Sequence, residues 1–254
     1  MDRRRFIAGI GLLAAGGAAG TAAGVAAEPA IATEGPTART ATPAGSAARA
    51  ATVTFRTSPE DRYVALTIDD GPTRKWTPQV HRLLANHGAK ATFFVVGERA
   101  KADPVVVQQA ADHGHELANH TWAHKDLTQH NEAPDAGSLE RTHELLTKLT
   151  GRPPTLCRPP YGRIDSVGLA VCSDLRYGVL LWSDHITGSN SRNDVNRVLR
   201  DVSPGSVVLA HDGGPEPNAT LMQQLDRLVG SLKDAGYQFL TASELLAVPD
   251  RTTA

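Results

Sequence analysis

The sequence predicts an α/β fold built on a parallel sheet. Seven short apolar runs alternate with segments of helical period, several helical segments stop on a glycine, and no glycine-rich phosphate loop opens the first of them. A doubly wound sheet and a (β/α) barrel both fit this alternation, and the missing phosphate loop weighs against a nucleotide-binding form.

The expected strands are Val64–Ile68, Ala91–Val96, Glu116–Ala118, Thr155–Cys157, Gly178–Trp182, Ser206–Ala210 and Gln238–Leu240. Between and after them the pattern predicts helices at Pro78–His87, Pro104–His113, Ser138–Leu149, Ser166–Leu175, Arg192–Val202, Thr220–Ala235 and Ala242–Ala247. Gly88, Gly114 and Gly236 follow helical segments, where a left-handed C-cap is expected. These elements occupy 53–248 of a chain of 254 residues, enough for one domain with a sizeable core.

Ahead of the domain, residues 1–27 read as an export signal: Arg3, Arg4 and Arg5 precede Phe6, then comes a short Ala/Gly/Leu run with small residues around Ala26–Ala27. The arginine pair before Phe6 suits the twin-arginine route. The run is too short and glycine-rich to cross about 30 Å of hydrocarbon, so no stable membrane anchor is expected. Residues 28–52, rich in Ala, Thr and Pro, read as a disordered linker, and 249–254 as a tail.

The whole chain carries 26 basic and 27 acidic residues; without 1–27, which holds three Arg and one Asp, 23 and 26 remain. No block of like charge marks a nucleic-acid or anionic membrane surface, so a neutral partner is expected. The two cysteines, Cys157 and Cys172, would in an exported protein either form a disulfide or stay as two buried thiols. Metal ligation by this pair is not expected, because no second pair completes a site.

In a barrel, side chains at the C-terminal strand ends converge on one mouth, so polar residues just past each strand should form one chemical set. They are Asp69 and Asp70 in "LTIDDGPT", His120 and His124 in "NHTWAH", Arg158 to Gly162 in "RPPYG", Trp182 to His185 in "WSDH", and His211 in "AHDG". His120 and His124 at a spacing of four can face one point, and with a carboxylate they make a His₂Asp ligand set that leaves positions open. A cation there would offset the repulsion between Asp69 and Asp70 and acidify water. Asp70 would ligate, and Asp69 would stay beside it as general base.

"TIDDGP", "NHTWAH", "RPPYG" and "VVLAHDG", in this order, closely resemble the polysaccharide deacetylases, the NodB-homology enzymes of carbohydrate esterase family four. The resemblance spans roughly Tyr63 to Leu246. It implies a distorted (β/α) barrel of about seven parallel strands with its active site at the C-terminal strand ends. It also implies deacetylation of N-acetylglucosamine polymers such as peptidoglycan or chitin, or of acetylated xylan, with a divalent metal, usually zinc. Cobalt, nickel or manganese would also suit such ligands. Carried over by motif, Asp69 is the base, and Asp70, His120 and His124 hold the metal. Arg158 pairs with the base, the Tyr161 backbone N–H faces the oxyanion, His211 is the general acid, and Leu209 lines the acetyl pocket.

The fourth motif departs from the family's pattern of W-S-x-D-x-x-D-W. Counting from Trp182, the second aspartate falls on Gly188 and the second tryptophan on Ser189. Asp184, shifted in register, is the substitute expected to partner His211, and Trp182 remains as a substrate-side wall. Trp122 is expected to pack beneath the metal loop, with contact to sugar as the alternative, and His81, His87, His113, His115, His130 and His143 to be surface or packing residues. The expected function is that of a secreted, metal-dependent deacetylase of an N-acetylated glycan. The alternatives are an O-acetyl esterase on xylan and a glycan-binding protein with a degenerate site.

Overall fold

A computed structural model describes residues 51–129, 136–188, 192–215 and 217–251. The export signal, nearly all of the linker, His130 and Ser189 lie outside these residues. Within them no helix is long and apolar enough to cross a membrane.

Nine strands, all paired in parallel, form one curled sheet among the described residues. They are β1 (Val53–Thr54), β2 (Tyr63–Asp69), β3 (Thr92–Val95), β4 (Glu116–Asn119), β5 (Leu156–Cys157), β6 (Gly178–Leu180), β7 (Asp184–His185), β8 (Val207–His211) and β9 (Gln238–Leu240). Their order is β1-β6-β5-β4-β3-β2-β8-β7, with β9 on the lower half of β2. The ends are drawn together by an antiparallel bridge between Arg56 and Ser206, and by the chain leaving β6. In that chain the Leu181 N–H bonds to Thr54 at 2.8 Å and the Ser183 N–H to Val207 at 3.0 Å. The result is the distorted (β/α) barrel. All seven expected strands are present; β1 and β7 are additional, and each is only two residues long.

The helices are α1 (Thr77–Asn86), α2 (Gly97–Ala102), α3 (Pro104–Asp112), α4 (Ala136–Thr150), α5 (Ser166–Asp174), α6 (Arg192–Asp201), α7 (Ala219–Asp234) and α8 (Ala242–Ala247). Of these only α2 was not expected. Gly88, Gly114 and Gly236 take positive φ (58°, 77° and 82°), as the expected C-caps require.

Strand alternation sorts the core into two faces. Leu66, Ile68, Val208 and Ala210 pack outward with Val80, Leu84, Leu225 and Leu228 of the helices. Ala65, Phe94, Ala118, Leu156, Leu180 and Val207 fill the barrel interior. Cys157 and Cys172 meet in a third cluster with Tyr177 and Val179. They are buried thiols rather than a disulfide. A hydrogen bond with Cys172, together with burial, pushes the Cys157 thiol well up.

Candidate active site

The inward face of β2 ends on Asp69, and its neighbours there are Phe94 on β3 and His211 on β8. The chain then turns at Asp70 with a left-handed φ of 70°. That conformation is strained for a residue with a Cβ, and such residues cluster at functional sites. Thr121 (φ 66°), His124 (φ 54°) and Tyr161 (φ 59°) share it, on the loops after β4 and β5.

Asp70, His120 and His124 offer ligand atoms that all lie within 4.8 Å of one another. Asp70 Oδ1 is 3.3 Å from His120 Nε2 and 3.0 Å from His124 Nε2. His120 Nδ1 lies 2.7 Å from the Arg158 carbonyl oxygen, so that nitrogen carries the hydrogen and Nε2 presents a lone pair. A lone pair aimed at a buried carboxylate oxygen with no donor of its own is an arrangement that a cation completes. The donor set therefore fits a divalent metal ion of the zinc, cobalt, nickel or manganese kind.

Asp69 is gripped from the other side. Arg158, fully buried, donates from Nη1 to Asp69 Oδ1 at 2.7 Å and to Thr67 Oγ1 at 2.9 Å. Its Nε and Nη2 reach the carbonyls of Leu180 and Leu181, each at 2.9 Å, and its guanidinium lies 4.1 Å above the Phe94 ring. This is an interior ion pair whose donors are spread over the ends of two strands, β2 and β6, not a surface one. Asp69 Oδ2 points toward the metal-ligand cluster, 3.8 Å from His120 Nε2.

Pro160–Gly162 form a 3-10 turn that carries Tyr161, 63% exposed at the mouth, with its ring 5.0 Å from that of His124. Half-buried Trp182 lies beneath this turn, where a Cβ added to Gly162 would stand 3.3 Å from its ring. Leu209 is buried and registers with Thr67 on the interior face two residues before His211. Trp122 packs on Gly97 and under Arg141, whose guanidinium is 4.0 Å from the ring.

Asp184 does not join this set. It registers with Val208, whose side chain lies on the helix side, and Ile186 two residues on packs in the same outer core. The Asp184 carboxylate accepts the Ser183 hydroxyl at 2.9 Å. The expected pairing with His211, which sits on the opposite face of β8, does not follow from this register. Gly188, at the family's aspartate position, instead offers its carbonyl to Asn218 Nδ2 at 2.8 Å.

Asp212 was not singled out by the sequence. Its side chain is fully buried behind the site, and burial pushes its carboxyl up to about 7 against a hydrogen bond from Thr77, with the charges of Asp70 and Asp69 adding to the rise. Its position directly after His211 in "AHDG" was the available signal.

A family model described as polysaccharide deacetylase matches residues 56–180. Two proteins of Bacillus cereus, each named peptidoglycan-N-acetylglucosamine deacetylase, are 36% and 34% identical over 181 and 199 residues. The first alignment covers 70% of this chain and 66% of that relative; the second covers 76% and 92%. The chain belongs to the polysaccharide deacetylase family. A crystal structure of a peptidoglycan N-acetylglucosamine deacetylase in complex with 4-naphthalen-1-yl-N-oxidanyl-benzamide matches this member of the family with a TM-score of 0.73. Identity there is 32%, over 79% of this chain and 96% of that one.

Proposed function

We propose that this protein is a metal-dependent deacetylase that removes N-acetyl groups from an extracytoplasmic glycan, with the N-acetylglucosamine of peptidoglycan as the first candidate substrate. The observation that carries the reading is the convergence of Asp70, His120 and His124 beside an aspartate held by a buried arginine. The names of the similar proteins support the substrate class.

Asp70, His120 and His124 would hold a divalent ion, most simply zinc. When bound, such an ion polarises a carbonyl oxygen and makes water acidic enough to lose a proton near neutral pH. Asp69 takes up the proton released when water adds to the acetyl carbonyl. Arg158 keeps the base carboxylate aimed, because Asp69 Oδ1 is committed to the guanidinium and Oδ2 alone faces the reacting side. The Tyr161 backbone N–H, on a turn stiffened by Pro159 and Pro160, donates to the developing oxyanion. His211 protonates the leaving nitrogen, without which an amine departs very poorly. Leu209 and Trp182 line the space for the acetyl group and the sugar.

Acetate release from peptidoglycan, chitooligosaccharides and acetylxylan, with and without a chelator, tests this reading. Release from an N-acetylated glycan that stops on chelation is expected. Release from acetylxylan alone would favour the O-acetyl esterase, and glycan binding with no release would favour a binding protein.

A further inference from the structure

Asp212 takes no part in the reaction above, yet it is fully buried directly after His211, and its backbone is bonded to Asp69. Following His211 on β8, it faces away from the mouth toward α1. The Thr77 hydroxyl donates to Asp212 Oδ2. The same hydroxyl oxygen accepts the Thr73 N–H at 2.7 Å. Thr73 returns its own hydroxyl to the Asp212 carbonyl at 2.7 Å, and the Asp212 N–H donates to the Asp69 carbonyl at 3.1 Å.

The rest of the segment closes on Asp70. A Cβ built on Gly71 would stand 2.2 Å from Asp212 Oδ1, so the carboxylate rests directly on the turn that follows Asp70. A Cβ on Gly213 would stand 2.0 Å from the Asp70 carbonyl, and one on Gly214 2.5 Å from Asp70 Oδ2. Arg99 Nη1 donates to the same Asp70 carbonyl. Asp70 is the residue in need of restraint: a left-handed non-glycine is strained and persists only where its surroundings enforce it.

We propose that Asp212 and Thr77 form a positioning latch that holds Asp70 in its left-handed turn, keeps its carboxylate aimed at His120 and His124, and thereby sets the affinity of the site for a divalent cation. The proposal rests on the metal-site reading given above. Neither residue touches the reacting atoms; both act through Asp70.

The test is zinc binding by the metal-free full chain in competition with a chromogenic chelator, alongside the melting temperature of the same metal-free samples. Thr77→Val removes the hydroxyl at nearly constant shape and is expected to weaken zinc binding about 10-fold, the low end of what losing a partner bonded directly to a ligand costs, because Thr77 acts through Asp212. Thr77→Ser, which keeps the hydroxyl, is expected to restore wild-type affinity. Asp212→Asn, which keeps an oxygen for Thr77 and its bulk against Gly71, should hold zinc more tightly than Asp212→Ala. A lowered melting temperature in Thr77→Val with unchanged zinc affinity would make the contact merely structural and overturn the latch alone. A wild-type chain that takes up no divalent cation overturns the latch and the site reading together.

Discussion

Asp69 on β2 and His211 on β8 are register partners on adjacent parallel strands, so their side chains emerge side by side on the interior face. Adjacent parallel strands lie about 4.8 Å apart, a separation that lets one group serve each side of a single carbonyl carbon. Asp69→Asn is expected to lower acetate release from an N-acetylated glycan by about 10²–10⁴-fold, the usual worth of a general base. His211→Ala should do likewise on the glycan but much less on an aryl acetate, whose phenolate leaves without a proton. Equal losses on both substrates would remove His211 from the acid role.

Arg158 joins the two halves of this arrangement, because its side chain fixes Asp69 while its carbonyl fixes His120. Arg158→Met would leave a buried carboxylate and two strand-end carbonyls without donors. Breaking a buried pair by removing one partner typically costs about 3–5 kcal/mol. For a domain of this size that is a fall in melting temperature of roughly 10 °C. Arg158→Lys should recover little, since one ammonium cannot span the four acceptors that the guanidinium reaches. A smaller effect of Arg158→Met in an Asp69→Asn background would locate the cost in the ion pair.

Most of this was legible because its signals are local. A strand that ends in "IDDGP" and a loop that spells "HTWAH" place Asp70, His120 and His124 at strand ends by chain connectivity, and the parallel arrangement brings those ends to one mouth. What the sequence hid depends on non-local packing. β1 and β7 are two residues each, too short for a pattern, and exist because the barrel needs closing. Asp184 looked like a shifted carboxylate, but Ile186 is drawn into the helix-side core and Asp184 turns outward with it. Asp212 was passed over, since nothing in "AHDG" says that Gly71, some 140 positions earlier, leaves room for its carboxylate.

Metal uptake should register in stability as well as activity. An ion bound only by the folded chain adds about 2.7 kcal/mol at a hundredfold excess over Kd, which for this size is a rise of about 5–10 °C in melting temperature. Thermal melts with and without zinc check this, and His124→Ala should abolish the shift while leaving the metal-free melt close to wild type. His124 is half-buried on a loop, so its removal opens no core cavity.

Away from the mouth, His81 on α1 and His115 before β4 are packed against Phe93, with ring centroids 5.2 and 5.3 Å from it and 5.4 Å from each other. Burial, with His113 adding to it for His81 and with His81, His113 and Lys90 adding to it for His115, pushes both imidazoles down to about 4. In the unfolded chain the same groups titrate near the ordinary 6.5, so between about pH 6.5 and 4 the unfolded state binds protons that the folded state refuses. The stabilisation associated with these two side chains is therefore complete above about pH 6.5 and is lost progressively as pH falls toward 4. Denaturant melts across that window should show stability declining with acidification. Replacing His81 and His115 with phenylalanine and glutamine, respectively, should flatten the decline without shifting the neutral-pH activity, because neither residue lies at the mouth. A slope unchanged by the double substitution would assign the acid sensitivity to other groups.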